Sequence, residues 1–319
     1  MNVYLTFDIE VWCNDWTELD TRFPASFKRY IYGRSRHGDY ALPKTLEILD
    51  RHSIKGVFFV EPLFAAYFGV EHLATIVELI SDAGQEIELH LHPEWTDEIK
   101  PLVFPGATCK RQHLSYYTFE EQHILIELGI SLLNQVGVKN VGAFRAGSYA
   151  ANADTYQALA ACGIRVDSSL NYCYPISGND LPETISRYAP TQIAGVETLP
   201  VAVFRDGFGK LRPAQVGACA LAEFRDALTS AMGTGLRHFV IVSHNFEMLR
   251  PNCSEPDRFI VARFENLCRY LAENREQYRM SGMRAPPGLK TEAPVEMPEV
   301  SARATLRRYT EQVARRLAR

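Results

Sequence analysis

The sequence lacks the cysteine spacing of a disulfide framework or a structural zinc site. Its seven cysteines are odd in number and scattered, and no CxxC pair occurs. This pattern favours a reducing compartment. There is also no apolar run of about 18 residues, so no transmembrane helix is expected. The first residues, MNVYLTFDIE, lack the basic and apolar regions of a secretory signal. We therefore expect a cytoplasmic protein.

Two further absences exclude classes of function. The net charge is −4, so the chain has no overall basic field to attract nucleic acid. The GxSxG motif of serine hydrolases is missing, which disfavours acyl transfer to a serine. What the chain does have is an ordinary globular composition, 46% hydrophobic and 23% charged.

Apolar runs typical of buried strands alternate with amphipathic segments typical of helices. The predicted strands cover residues 3–9, 56–62, 85–92, 140–147, 164–169, 196–204 and 238–245. The predicted helices cover 40–52, 72–84, 118–137, 153–163, 218–233 and 257–277, and Thr118 with Glu121 has capping-box spacing. This alternation predicts a parallel α/β sheet. Seven such strands are enough to close a (β/α) barrel, whose active residues lie at the C-terminal strand ends.

Ionisable residues stand at the C-terminal ends of five predicted strands. They are Asp8 and Glu10, His90 and His92, Arg145, Asp167, and His244. Carboxylates and histidines together suit metal-assisted hydrolysis, in which one group takes a proton from water and another protonates the leaving amine. His90 and His92 would share one face of a strand and can converge on one ion. The alternative is that this pair hydrogen-bonds carboxylates without any metal.

Five segments in chain order resemble the motifs of the polysaccharide deacetylase family, the NodB-type carbohydrate esterases. They read LTFDIE, GQEIELHLHPEW, FRAGSYAAN, VDSSL and VIVSHNFEM, and the resemblance covers residues 3 to about 245. The resemblance implies a distorted (β/α) barrel of about seven strands, which we assign to residues 1–280. It also implies a divalent metal. Zinc is the preferred candidate, and nickel, cobalt and manganese are alternatives.

The resemblance further implies a role for each matching residue. Asp8 matches the catalytic base, and Arg145 would hold and tune that base. His244 matches the general acid, and Asp167 would orient it or adjust its pKa. His90 matches the first metal-binding histidine, and the backbone of Tyr149 would help to form the oxyanion site.

Several positions depart from the family's pattern and suggest a divergent subgroup. The second aspartate of the first motif, a metal ligand in the family, is Ile9 here, and the second metal histidine falls on Glu94. Glu10 and His92 are nearby substitutes, so the predicted metal ligands are Glu10, His90 and His92. The proline of the third motif is replaced by Gly147.

Substrate contacts are predicted at Tyr149, Trp95 and Glu94. Trp95 follows Pro93 directly and could offer its ring as a platform for a sugar face. Packing at the barrel rim is an equally good interpretation of this tryptophan. The aromatic connections 11–39 and 171–195 are long enough to be binding loops.

The resulting hypothesis is a metal-dependent hydrolase that removes an N-acyl group, in the first place acetyl, from a sugar of a glycan or glycan precursor. Its partner would be a carbohydrate substrate. One alternative is a metal-free hydrolase of a C–N bond in a small cyclic amide. The other is an inactive barrel that binds glycan or protein.

Residues 281–319 form a predicted Pro-rich linker followed by a basic C-terminal helix. The helical segment VSARATLRRYTEQVARRLAR has only a loose apolar stripe. Docking on the domain or partial disorder is favoured over contact with a membrane surface, which stays open as an alternative.

Overall fold

The computed structural model describes residues 1–13, 15–251, 253–288 and 296–318. Its strands are β1 (Asn2–Ile9), β2 (Arg34–Ser35), β3 (Gly38–Asp39), β4 (Val57–Val60), β5 (Glu86–Leu91), β6 (Ala143–Ala146), β7 (Val166–Asp167), β8 (Thr191–Ile193), β9 (Val196–Thr198), β10 (Val203–Arg205), β11 (Leu211–Pro213), β12 (His238–His244) and β13 (Arg279–Met280). Its α-helices are α1 (Leu19–Phe27), α2 (Leu42–Arg51), α3 (Ala65–Phe68), α4 (Glu71–Asp82), α5 (Phe119–Gln135), α6 (Ala153–Ala161), α7 (Leu221–Gly233), α8 (Arg258–Glu273) and α9 (Ala302–Leu317). Strands and helices therefore alternate along most of the chain.

These elements fall into two compact units. The first unit contains the described residues of Met1–Gly56, Val201–Ser281 and Ala293–Arg319. Its central strand β1 pairs in parallel with β12 and β13, and Asp8 lies opposite His244 in the register. Val3 to Glu10 are all buried, as expected of a parallel strand covered on both faces.

The second unit contains Val57–Pro200 and the described residues of Gly282–Glu292. Its strands follow the order β4-β5-β6-β7-β9-β8. All neighbours are parallel except the last pair, β9 and β8. The register places His90 opposite Arg145, and Phe144 opposite Asp167. Neighbouring strand ends thus carry the residues that the sequence singled out.

Most predicted elements are present, and their differences have local causes. The capping box of α5 is confirmed, because the Glu121 amide donates to Thr118 Oγ1 at 3.3 Å and the Thr118 amide donates to Glu121 Oε2 at 3.2 Å. The single strand predicted over 196–204 is wrong: β9 ends at Thr198 and β10 begins at Val203. Pro200, between them, has no amide hydrogen for a strand ladder. Residues 11–39, predicted as a loop, contain α1, a π-helical turn and the β2–β3 hairpin.

The C-terminal helix α9 is docked within the first unit. Its buried Arg308 is 3.0 Å from an oxygen of Asp206 and 2.9 Å from one of Glu223, and both carboxylates are fully buried. Arg263 also contacts Glu311 of α9 at 2.8 Å. Helix α9 is therefore docked on the rest of its unit. The predicted domain boundary after residue 280 stays a prediction. Within the described ranges, no helix is both long and apolar enough to cross a lipid bilayer.

Candidate active site

In the first unit, an acidic and basic cluster lies where β1 and β12 end. Asp8, Glu10 and His244 place one ligand-type atom each within 4.8 Å of one another. Asp8 and Glu10 are only 3% and 6% exposed. They come together because alternate residues of β1 share a face and β12 runs beside it in parallel. The predicted base and the predicted acid are thus neighbours.

The imidazole of His244 lies between two carboxylates. Its Nδ1 is 3.1 Å from Glu247 Oε1, and its Nε2 is 4.0 Å from Asp8 Oδ2. Glu247 is itself fixed by the Gly217 amide at 2.6 Å and by the Ser243 hydroxyl at 3.2 Å. A carboxylate at Nδ1 keeps a proton on that nitrogen, so Nε2 is the nitrogen that exchanges a proton with the Asp8 side. Glu247 is therefore a positioning residue for His244.

Burial and charge act in opposite directions on His244. Burial alone would lower its pKa, but the hydrogen bond to Glu247 and the negative charges of Glu10, Glu247 and Asp8 outweigh it and raise the pKa to about 9. The imidazole is therefore protonated at neutral pH. A protonated imidazole close to an acceptor carboxylate is suited to act as a general acid.

Asn245 fixes the end of β1 against the end of β12. Its side chain accepts the Glu10 amide at 3.2 Å and donates to the Glu10 carbonyl at 3.1 Å. The same amide group donates to the carbonyl of Tyr30 at 2.6 Å. Sequence reasoning missed this role, although Asn245 directly follows the predicted acid. Its position could have indicated this role, because Asn245 is a polar residue directly after the predicted acid at the end of a strand.

In the second unit, His90 and His92 have the hydrogen-bond partners expected of metal ligands. His90 Nδ1 donates to the backbone carbonyl of Arg145 at 2.7 Å, and His92 Nδ1 is 3.3 Å from Glu94 Oε2. Ligating histidines commonly hold a carbonyl or a carboxylate at the ring nitrogen that does not bind the metal. A neutral ring whose Nδ1 donates to such a partner has its lone pair on Nε2. Their ring centroids are 4.8 Å apart and the planes cross at 83°.

Gly147 and His92, two departures from the family pattern, depend on one another. A Cβ atom at residue 147 would lie 2.6 Å from His92 Cε1 and 2.8 Å from the Leu91 carbonyl oxygen. Both distances are well below van der Waals contact, and one of them is to backbone. The ring of His92 therefore requires glycine at position 147, which explains why the third motif has no proline here.

Gly147→Ala should destabilise the protein and displace His92. Forcing a methyl group into this contact should cost about 1–3 kcal/mol of unfolding free energy, measured by denaturant titration. Gly233→Ala is the matched control, because a Cβ there meets no atom within 4 Å; it should leave stability unchanged or raise it by up to about 1 kcal/mol, since residue 233 belongs to helix α7. Equal stability of the two variants would contradict the packing of His92 on Gly147.

Arg145 on β6 and Asp167 on β7 are both buried, and these two strands are neighbours in the second unit. Arg145 donates to Ser168 through Nε at 3.1 Å and Nη2 at 2.9 Å. Asp167 accepts from the Ser169 amide at 2.9 Å and from the Tyr156 hydroxyl at 3.0 Å. Burial raises the pKa of Asp167 to about 6, against the lowering effect of these hydrogen bonds. Their predicted roles toward Asp8 and His244 stay predictions.

Glu61, a buried acid at the end of β4, was missed by the sequence reasoning. It is 2% exposed, and burial raises its pKa to about 8 despite the Leu63 amide that donates to Oε1 at 2.8 Å. Its Oε2 has no hydrogen-bond partner among the described residues. His92 and Glu94 are close enough to influence its charge. The signal was present, because an ionisable residue, Glu61, directly follows the apolar run VFFV, as at the other strand ends.

The predicted substrate contacts differ in exposure and backbone strain. Trp95 is 1% exposed and packs edge-on against Phe64 and Phe68, which favours packing over a sugar platform. Glu94 is also buried, at 6% exposure. Tyr149 has a left-handed φ of 58°, a conformation that costs energy in residues other than glycine and clusters at functional sites. Its part in an oxyanion site, and the substrate contacts, stay predictions.

A cavity of about 550 Å³ in the first unit is lined by His244 and Glu247. Its aromatic wall consists of Trp12, Tyr30 and Phe246, with the Tyr30 and Phe246 rings 5.5 Å apart. The Trp12 indole donates to Glu10 Oε2 at 2.7 Å. Two of these rings come from the connection 11–39. Its size suits a small ligand, and its aromatic faces suit a sugar ring.

Comparison with solved structures identifies the fold. A candidate polysaccharide deacetylase from Mycobacterium smegmatis is 20% identical, with a TM-score of 0.56, over 92% of this chain and 94% of that one. A family 4 carbohydrate esterase from Streptomyces lividans is 14% identical, with a TM-score of 0.43, over 92% and 97%. A CE4 family pseudoenzyme from Bacillus anthracis is 13% identical, with a TM-score of 0.40, over 85% and 60%.

The first of these likenesses establishes that the chain has the α/β fold of a NodB-type polysaccharide deacetylase, as predicted. No family model matches the chain, and no curated protein matches it in sequence.

Proposed function

We propose that the protein is a metal-dependent hydrolase that removes an N-acyl group, in the first place acetyl, from a sugar of a glycan or glycan precursor. The observation that carries the proposal is the line of side chains Asp8, His244 and Glu247 beside a cavity with an aromatic wall. The description of the structural neighbour from Mycobacterium smegmatis as a polysaccharide deacetylase agrees with this chemistry.

Asp8 and His244 have complementary tasks in amide hydrolysis. Asp8 takes a proton from the attacking water, because its carboxylate is buried and faces the site beside Glu10. His244 then gives its Nε2 proton to the departing nitrogen, so that an amine leaves instead of an amide anion. Glu247 holds Nδ1 and stabilises the positive ring before the transfer. The nitrogen leaves protonated and the acyl group leaves as a carboxylate.

The metal in this proposal is a divalent ion, and zinc is the preferred candidate. His90 and His92 fit such an ion, because each holds a carbonyl or carboxylate at Nδ1 and so presents Nε2 in the correct tautomer. Glu10 belongs to the first unit and the two histidines to the second, and their joint ligation stays a prediction from the sequence. When bound, the ion supplies Lewis-acid polarisation of the acyl carbonyl.

Glu247→Gln tests the acid half of the proposal. Glutamine keeps the shape but removes one of the three negative charges that together outweigh burial, so the pKa of His244 should fall from about 9. Activity requires protonated His244, so the alkaline limb of the kcat–pH profile lies near pH 9 in the wild type. In the variant we expect that limb to move down by at least about 1 pH unit. An alkaline limb that does not move would contradict the assignment of His244 as the acid that Glu247 sustains.

A further inference from the structure

The aromatic cavity beside His244 shares two arginines with a second cavity in the first unit. The second cavity has a volume of about 270 Å³. Arg250 and Arg315 line both of them. The second cavity, called the second chamber below, is therefore adjacent to the space beside the proposed acid, and these two side chains belong to the walls of both. A substrate whose acyl group reaches His244 can extend a further substituent toward the arginines.

The second chamber has an excess of positive charge. Four arginines line it, Arg36, Arg250, Arg258 and Arg315, against two carboxylates, Glu255 and Asp257. With His37 neutral, these six charged side chains sum to +2. A chamber with this charge excess, adjacent to a sugar-sized cavity, fits an anionic substituent of about two negative charges.

Two of the four guanidinium groups are paired with a carboxylate, and two are not. Arg315 is bound to Asp257, and Arg36 lies 3.5 Å from Glu255. In the part of the chain that the structure describes, neither Arg250 nor Arg258 has a carboxylate within 4 Å. Arg250 donates to the carbonyl of Ala318 at 3.1 Å, which holds the group in place and leaves its charge uncompensated.

We propose that the substrate carries a phosphate or diphosphate group on the N-acyl sugar, and that Arg250 and Arg258 bind it. This inference rests on the proposed function and names its substrate class. The planar fork of an arginine matches the oxygens of a phosphate, and such charge-assisted pairs are stronger than neutral hydrogen bonds. A phosphate monoester carries about −1.5 to −2 charges near neutral pH, close to the excess in the chamber. A neutral polysaccharide would leave the positive charges of both groups without a compensating anion.

The test compares four probes on the full chain loaded with metal. They are methyl N-acetylglucosaminide, N-acetylglucosamine 1-phosphate, UDP-N-acetylglucosamine and a farnesyl diphosphate-linked N-acetylglucosamine. The proposal expects the phosphate-bearing probes to have a kcat/KM at least about tenfold above that of the neutral glycoside. The last two separate nucleotide-linked from lipid-linked phosphate, which share the chemistry recognised here.

Arg250→Gln should raise the KM for the preferred phosphate-bearing probe by about 10- to 100-fold, with a much smaller effect on the neutral glycoside. Arg258→Gln should act in the same direction. Arg269→Gln is the matched control, since Arg269 is exposed on the same helix α8 and lies outside both cavities, and it should behave as wild type.

Inorganic phosphate, titrated by calorimetry, separates this inference from the proposed function. Binding to wild type that is weakened in Arg250→Gln supports the phosphate site even if no probe is hydrolysed. Hydrolysis of the neutral glycoside as fast as of the phosphate-bearing probes, without phosphate binding, would overturn the inference while the proposed function stands. Phosphate binding that Arg250→Gln and Arg258→Gln leave intact would overturn it as well.

Discussion

Replacing Asp8 by asparagine should reduce the rate of N-acyl sugar hydrolysis by about 10²–10⁴-fold. The amide of asparagine cannot take a proton from water, while its shape preserves the packing at the end of β1. The loss should appear in kcat and leave KM largely unchanged, because the group acts on the attacking water and not on the bound sugar. Acetate release measured over a range of substrate concentrations separates the two constants.

Asp20→Asn is the matched control, because Asp20 is exposed on α1. It should retain full activity and the same unfolding midpoint as the wild type. The Asp8 variant also separates the competing functions. A metal-free C–N hydrolase would lose turnover in the same way, whereas an inactive barrel would bind its glycan equally well with either residue. Undiminished kcat in Asp8→Asn would exclude Asp8 as the base.

Removal of metal by a chelator should reduce hydrolysis by at least about 10³-fold, because polarisation of the acyl oxygen supplies several kcal/mol of the barrier reduction. Addition of zinc, nickel, cobalt or manganese should restore the activity of the wild type. The double variant His90→Ala/His92→Ala should remain inactive in the presence of each metal. Activity that survives chelation would instead support the metal-free hydrolysis of a small cyclic amide.

His72→Ala is a suitable control for the double variant, because His72 belongs to helix α4 and not to a strand end. It should respond to chelation and to added metal as the wild type does. Loss of activity in this control to the same extent would point to a general effect of removing histidines, and not to ligation by His90 and His92.

The sequence predicted the fold and the strand-end residues because both depend on short-range patterns. Alternation of apolar runs with amphipathic segments is a local property, and it gave the parallel α/β arrangement. Asp8 and His244 were placed correctly at the ends of two strands, which the structure pairs in register. Residues of a single strand, such as His90 and His92, were also predicted to share a face.

Contacts between residues distant in the sequence could not be predicted in the same way. The dependence of Gly147 on the ring of His92 requires the exact approach of two neighbouring strands. The role of Glu247 depends on a turn after β12, which brings its carboxylate back to Nδ1 of His244. The sequence showed only that Trp95 follows a strand. Its packing against Phe64 and Phe68, which buries the ring, depends on the tertiary structure.

The most direct test of the central claim is the metal content of the protein, purified without a histidine tag and measured by elemental mass spectrometry. We expect close to one zinc, nickel, cobalt or manganese ion per chain in the wild type, and a large loss in His90→Ala/His92→Ala. A wild-type protein that stays empty after incubation with each of these ions would contradict metal-dependent hydrolysis at this site.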